Sequence, residues 1–298
     1  MPKNNKRYKK TDKYENLIYS EAFPPDKNGR RKKISQFSLS HDILNDKKIN
    51  PEDIIYKPLT LSDIEEIENL HKEWFPIEYD HGYFQKIFIN KHNSYFTIGA
   101  YYKIKNDKNE DKEIILGLAM CQFRPVSEYF IKHTSPEAIE EICKNIDFNE
   151  EVLSYLNCED YHCVYIMTIG VLDEFRRLHI GSTLINLIIE KALWDTLCIG
   201  IYLDVIYYNE CAIKFYEKNN FRKATKLNNF YDLNGEKYDA NVYLKIFTRK
   251  EKDHFRAKHY SLLWKIISAC FITPMNVFFK IIIFFLFFQC FRKKIKAE

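Results

Sequence analysis

The strongest hydrophobic pattern runs from Tyr161 to Leu193. It begins as an apolar run of Val, Tyr, Ile, Met and Leu bounded by polar residues, which predicts a buried strand. A charged turn follows from Asp173 to Ser182, and then Leu184, Leu187 and Ile188 recur at helical spacing up to Leu193. Gly200 to Ile206 predicts a second strand, and Ala212, Ile213, Phe215 and Tyr216 predict a short helix that stops at Lys218-Asn219-Asn220-Phe221. Upstream, Ile54 to Thr60 predicts a first strand. Ile64, Ile67, Leu70 and His71 give a helix one apolar face, with Ser62 as its N-cap and Glu65 and Glu66 in its first turn. Tyr83 to Phe88 predicts another helix. Tyr95 to Lys103 and Ile114 to Phe123 predict an antiparallel hairpin, and Tyr238 to Phe247 a further hairpin strand that closes the sheet after Asn228–Asp232.

The turn between the core strand and its helix carries candidate chemistry. Backbone N–H groups and the positive end of a helix dipole meet there, beside Arg176 and Arg177, which makes a site for a pyrophosphate. One glycine and two arginines are also what an ordinary strand-to-helix turn with solvated side chains contains. The following strand, Asn209 and a helix with an interior tyrosine distinguish the two readings.

Charge is unevenly distributed. The net charge of the 298 residues is +4, but residues 1–50 hold +7, residues 245–298 hold +9 and the stretch between holds −12. Basic ends around an acidic body exclude a nucleic-acid-binding domain, whose basic face belongs to the fold itself. They suit a cationic acceptor and tails drawn to anionic lipid. The eight cysteines are scattered, without a Cys-x-x-Cys pair or a His-x-His spacing, so no metal site is expected and the thiols are expected to be reduced. The N-terminus lacks an apolar signal core.

Three segments are expected: a basic, largely disordered stretch over 1–50, a folded domain over 51–248, and a basic and apolar tail over 249–298. Two insertions are expected within the domain. One near 104–112 is a charged Asn/Asp/Lys run, and one over 124–160 has helical character from Pro136 to Lys144.

Strand, Arg-rich turn, helix, strand, Asn and Tyr-containing helix together resemble the core of the GNAT acetyltransferases. The family's [Q/R]-x-x-G-x-[G/A] loop stands here as Arg176-Arg177-Leu178-His179-Ile180-Gly181, with histidine where the family has glycine. Trp74-Phe75-Pro76-Ile77-Glu78-Tyr79, the strand before the Arg loop and the IYLDV…N…AIKFYE stretch are similar to the NatF branch, the Golgi-associated N-alpha-acetyltransferases. The resemblance implies an α/β (α+β) GNAT fold, with a mixed, mostly antiparallel central sheet flanked by helices and C-terminal membrane-associated helices. It implies acetyl-CoA as co-substrate and protein N-termini as acceptors, with retained Met before Lys, Val, Ala or an apolar residue. It further implies no obligatory auxiliary subunit, and a place on the cytosolic face of a membrane, the Golgi by resemblance.

The resemblance also assigns residues. Ile169, Gly170, Val171, Arg176, Arg177, Leu178, His179, Ile180, Gly181, Ser182, Asn209 and Tyr216 would contact the co-substrate. Phe75, Pro76, Glu78, Tyr79, Met167 and Tyr231 would contact the peptide. Tyr165 matches one of the family's general bases, Asp204 stands where the family has a histidine base, and Tyr216 matches the tyrosine that protonates the leaving thiolate. A second reading makes Tyr165 and Tyr216 core aromatics. On the strands, period two puts Tyr165, Met167 and Ile169 on one face, and Tyr202, Asp204 and Ile206 on another. A mid-strand carboxylate is costly unless solvated or paired, which suggests a cavity at Asp204.

Three readings of the tail are open. Ile266 to Phe291 is long enough to span a bilayer, but Pro274, Asn276 and Lys280 interrupt it. Interfacial helices whose lysines reach the surface fit best, a tail anchor second and a helix buried on the domain third. Two other functions stay open: acetyl transfer to a lysine ε-amine or a small amine, and a non-catalytic membrane adaptor on the same fold.

Overall fold

A computed structural model describes residues 49–75, 81–89, 94–105, 111–126, 160–233 and 235–272. The expectations for residues 1–48, for Pro136 to Lys144 and for the tail beyond Ile272 lie outside the described residues.

The chain divides into two units, Met1–Ile246 and Phe247–Glu298. The first is built on a seven-stranded sheet. Its strands are β1 (Ile55–Lys57), β2 (Tyr95–Lys105), β3 (Asp111–Pro125), β4 (His162–Val171), β5 (Cys198–Ile206), β6 (Arg222–Leu233) and β7 (Glu236–Ile246). The spatial order is β1-β2-β3-β4-β5-β7-β6. Neighbours are antiparallel except β4 and β5, which run parallel because a helix connects them. The mixed, mostly antiparallel sheet expected from the sequence is present. β2 and β3 extend into the charged run expected as an insertion, to Lys105 and from Asp111.

Among the described residues this unit has four helices: α1 (Ile64–Trp74), α2 (His81–Ile89), α3 (Ile180–Trp194) and α4 (Glu210–Lys218). α1 buries Ile64, Ile67, Leu70 and His71, the face read from its spacing. Its entry differs from expectation. Thr60 and Asp63 form the cap, with Asp63 Oδ2 accepting from the Thr60 N–H at 2.6 Å and from its hydroxyl at 2.8 Å. Ser62 only shares a hydroxyl contact with Thr60, because a short 3-10 turn over Leu61–Asp63 moves the start of the α-helix beyond it.

α1 and α3 cover opposite faces. His71 of α1 reaches Thr168 at 3.3 Å, and a Cβ at Gly170 would lie 2.3 Å from the Trp74 ring. The next residue, Val171, lies instead beside Gly117 and Gly181, on the side of Ile180. α4 shares that side, since a Cβ at Gly181 would meet the Phe215 ring at 3.2 Å.

The second unit begins with α5 (Arg249–Ile272). Thr248 and Glu251 cap it reciprocally: Thr248 Oγ1 accepts from the Glu251 N–H at 3.2 Å, and Glu251 Oε2 accepts from the Thr248 N–H at 2.8 Å. Among the described residues, no helix is long and apolar enough to cross a membrane.

Candidate active site

The site starts from a break in the sheet. β4 and β5 pair from His162–Cys198 to Tyr165–Tyr202 and no further, although β4 continues to Val171 and β5 to Ile206. Beyond that rung each strand keeps its other neighbour, β3 for β4 and β7 for β5. The ladder therefore opens into a wedge, and the inner edges of Ile166–Val171 and Leu203–Ile206 line it.

A second irregularity sets what faces the wedge. Met120 pairs with Thr168 and Cys121 with Ile166, so Met167 is an extra residue in β4. Tyr165 and Met167 join the apolar cluster of Trp74, Phe75 and Phe84, and Thr168 also turns to that side, toward His71. Two consecutive residues thus share a face. This corrects the period-two reading: beyond the bulge Ile169 leaves the face of Tyr165 and Met167. In β5 the alternation holds, with Tyr202 and Ile206 in the same cluster and Asp204 between them.

At the last rung, four polar side chains meet inside the protein. The Tyr165 hydroxyl donates to Asp204 Oδ2 at 3.2 Å, and Asp204 is fully buried. The Tyr165 and Tyr202 rings stack at 4.9 Å with 30° between planes. The Arg124 guanidinium lies 4.3 Å from the centroid of the Tyr165 ring, and its Nε donates to Gln122 Oε1 at 2.6 Å. Burial pushes the Tyr202 phenol well above its ordinary range, the Asp204 charge adds to that, and Arg124 opposes it. Sequence reasoning missed Arg124, which stood at the edge of the expected 124–160 insertion but belongs to β3. Its signal was a charged residue continuing the apolar run that ends at Phe123.

Three of the residues expected to contact the peptide share this face. Phe75, Met167 and Tyr231 are buried in one cluster with Tyr165, and Phe75 packs 5.0 Å from the His71 ring. Pro76, Glu78 and Tyr79 lie outside the described residues. His71 is held neutral, since burial lowers its pKa to about 4, and the Ile67 carbonyl opposes that only partly. Its Nδ1 lies 2.9 Å from that carbonyl.

The loop after β4 forms the other half. Phe175 is buried and anchors a 3-10 turn over Asp173–Phe175, and Arg176 pairs with Asp173 at 2.5 Å. Arg177 and His179 both have left-handed backbones, with φ of 71° and 61°. His179 therefore takes the conformation that glycine supplies more readily at that place in the family loop. The first turn of α3 closes with the Thr183 N–H on the His179 carbonyl at 2.9 Å. The N–H groups of Ile180, Gly181 and Ser182 precede that bond and lie at the positive end of the helix. Leu178 is half-buried between the two left-handed residues.

Asn209 is buried at the start of α4, where its Oδ1 accepts from the Ala212 N–H at 3.1 Å as an N-cap. Tyr216 is buried on the α3 side, 5.9 Å from the Phe221 ring and 6.5 Å from that of Tyr243. Burial pushes its phenol far up, and the nearby Cys121 adds to the shift. No group of His, Cys, Asp and Glu among the described residues is placed to hold a metal ion.

A split parallel pair with a helix N-terminus beside it is what a long, phosphate-bearing thioester needs. The acetyltransferase (GNAT) family pattern matches residues 64–221 of this chain. The chain belongs to the GNAT acetyltransferase family. It is an acetyl-CoA-dependent N-acetyltransferase, with the mixed central sheet and flanking helices of that fold. It is 28% identical over 192 residues to the histone acetyltransferase MCC1 of Arabidopsis thaliana, covering 64% of this chain and 69% of that one. It is 27% identical over 195 residues to N-alpha-acetyltransferase 60 of Xenopus tropicalis, with the same 64% and 69% coverage. The crystal structure of Arabidopsis thaliana NAA60 in complex with acetyl-CoA superposes with a TM-score of 0.51 at 26% identity, over 65% of this chain and 98% of that one.

Proposed function

We propose that this chain acetylates the α-amine of protein N-termini. The observation that carries the reading is the position of the Tyr165–Asp204 pair. It lies at the foot of the wedge, on the face walled by Phe75, Met167 and Tyr231, while the helix N-terminus and Tyr216 stand on the opposite face. An acceptor and an acetyl donor would then meet in the wedge from two sides. The likeness to N-alpha-acetyltransferase 60 supports an α-amine as acceptor.

The residues fit acetyl-CoA, which supplies an acetyl thioester. The N–H groups at Ile180, Gly181 and Ser182, with Arg176 and Arg177, would hold its pyrophosphate. Asn209 and the inner edge of Ile169, Gly170 and Val171 would hold the pantetheine arm, and strand N–H groups would donate to the carbonyl oxygen as charge develops. An α-amine has a pKa of about 8, so a fair share is neutral near pH 7. Tyr165 and Asp204 orient it and take the proton released as the N–C bond forms and the C–S bond breaks. Tyr216, kept protonated by burial, would give its proton to the sulfur and regain one from solvent, to which the Tyr165–Asp204 pair releases the proton taken from the amine. The products are an acetylated N-terminus and free CoA.

The apolar wall supports a Met side chain in first position, and the resemblance alone suggests Lys, Val, Ala or an apolar residue second. Attachment to the cytosolic face of a membrane, the Golgi by resemblance, is assigned to the tail over 249–298. Its basic first half and apolar remainder suit interfacial helices. Likeness to the plant histone acetyltransferase favours a second reading, transfer to a lysine ε-amine at the same site. Incubating the full-length protein with acetyl-CoA and peptides of varied first residues separates the two. Mass-spectrometric mapping of acetyl to the α-amine supports the first reading, and acetyl on lysine side chains alone supports the second. Co-sedimentation with anionic vesicles, lost on deleting 249–298, tests the membrane assignment.

A further inference from the structure

The pair at the foot of the wedge poses an electrostatic problem. Asp204 is a carboxylate with no exposure to solvent. A buried carboxylate ionises only if charge and hydrogen bonds replace the lost water. Tyr165 contributes one hydrogen bond. A residue without an assigned role carries the opposite charge beside Tyr165. Arg124 is buried on β3, opposite Cys163, and carries a guanidinium that does not deprotonate in proteins.

Its guanidinium carbon lies over the Tyr165 ring, 4.3 Å from the centroid. Tyr165 and Tyr202 stack on each other. Arg124 and Asp204 both act on the Tyr202 phenol, in opposite directions. The cation and the anion are thus held about one stacked tyrosine pair. Gln122 fixes the guanidinium from the neighbouring strand position at 2.6 Å.

We propose that Arg124 is a positioning residue of the acetyl transfer, which holds Tyr165 by lying over its ring and keeps Asp204 ionised. This rests on the reading of Tyr165 and Asp204 as the proton-accepting pair. Among the described residues, the titratable groups on this face are Arg124 of β3, Cys163 and Tyr165 of β4, and Tyr202 of β5. Tyr95 and Tyr101 lie on β2, Tyr161 precedes β4, Tyr208 follows β5, Tyr231 lies on β6, Tyr238 on β7 and Tyr83 on α2. His71 of α1 is neutral above pH of about 4. Arg124 is therefore the permanent cation among them.

The test compares full-length wild type, Arg124→Gln, Arg124→Lys and Asp204→Asn in peptide acetylation across pH. Calorimetric acetyl-CoA binding serves as the measure of folding. Arg124→Gln is expected to bind acetyl-CoA normally, lose at least about tenfold in kcat, and move the acid limb of the kcat/KM profile up by about one pH unit. Arg124→Lys is expected to keep that limb near its wild-type position, because the charge stays, while kcat falls with the loss of the stacked plane. A limb unmoved in Arg124→Gln, or moved equally in both variants, overturns the proposal. If Arg124→Gln does not bind acetyl-CoA, the limb of Arg124→Lys decides, and a displaced limb overturns the proposal. Wild-type kcat and limb in Asp204→Asn would instead overturn the pair itself. Loss of activity there, with an unmoved limb in Arg124→Gln, would overturn the role of Arg124 alone.

Discussion

Tyr165 donates its phenolic hydrogen to Asp204 across 3.2 Å, between two parallel strands whose ladder ends at that rung. The pair needs both members, so its removals are not independent. Tyr165→Phe and Asp204→Asn are each expected to lower kcat by about 100-fold, with the affinity for acetyl-CoA unchanged. The double variant is expected to be little worse than either. Steady-state kinetics with calorimetric acetyl-CoA binding checks this, and additive losses would show two separate roles.

His71 makes stability depend on pH. Its folded pKa is about 4 against an ordinary 6.5, so between those values the unfolded chain takes up a proton that the folded chain refuses. Stability is therefore full above pH of about 6.5 and falls as pH drops toward 4, by up to about 3 kcal/mol. Urea unfolding of wild type and His71→Leu at pH 7.5 and 4.5 isolates this part. The wild type is expected to lose more stability than the variant over that interval.

His179 holds a left-handed backbone with φ of 61° and an exposed side chain. His179→Gly relieves a cost of about 1 kcal/mol, offset in part by the greater freedom of glycine in the unfolded chain. Its melting temperature is expected to stay within a few degrees of wild type, with acetyl-CoA binding retained. His179→Val, whose β-branch suits that backbone poorly, is expected to weaken acetyl-CoA binding several-fold. Differential scanning fluorimetry with and without acetyl-CoA reads both variants.

Gly170 lets the Trp74 ring lie against β4. A Cβ there would come within 2.3 Å of the ring, inside any van der Waals contact. Gly170→Ala is expected to cost about 1–3 kcal/mol by overpacking and to displace the neighbouring Phe75. Chemical denaturation measures the first effect. A raised KM for peptide, with that for acetyl-CoA less affected, measures the second.

Much of this was legible in the sequence because periodicity reports burial. The faces of α1 and β5, the β2–β3 hairpin and the helix after the Arg loop all follow from spacing. The bulge at Met167 was not legible, because an apolar run buried on both faces carries no polar marker of an inserted residue. Resemblance supplied Tyr165 and Asp204 but not their neighbours. Arg124 lies 41 residues from Tyr165 in sequence and meets it only because β3 and β4 pair in register. The cap at Thr60 and Asp63 was hidden by a 3-10 turn, which shifts the helix start without changing its apolar face.

The central claim is that the Tyr165–Asp204 pair serves an α-amine. The most direct measurement is acetyl transfer by the full-length protein to a Met-starting peptide that also contains an internal lysine. Tandem mass spectrometry locates the acetyl group, alongside Tyr165→Phe. The account predicts acetyl on the α-amine, with the lysine unmodified and transfer nearly abolished in the variant. Acetyl on the lysine alone, or undiminished transfer in Tyr165→Phe, would contradict it.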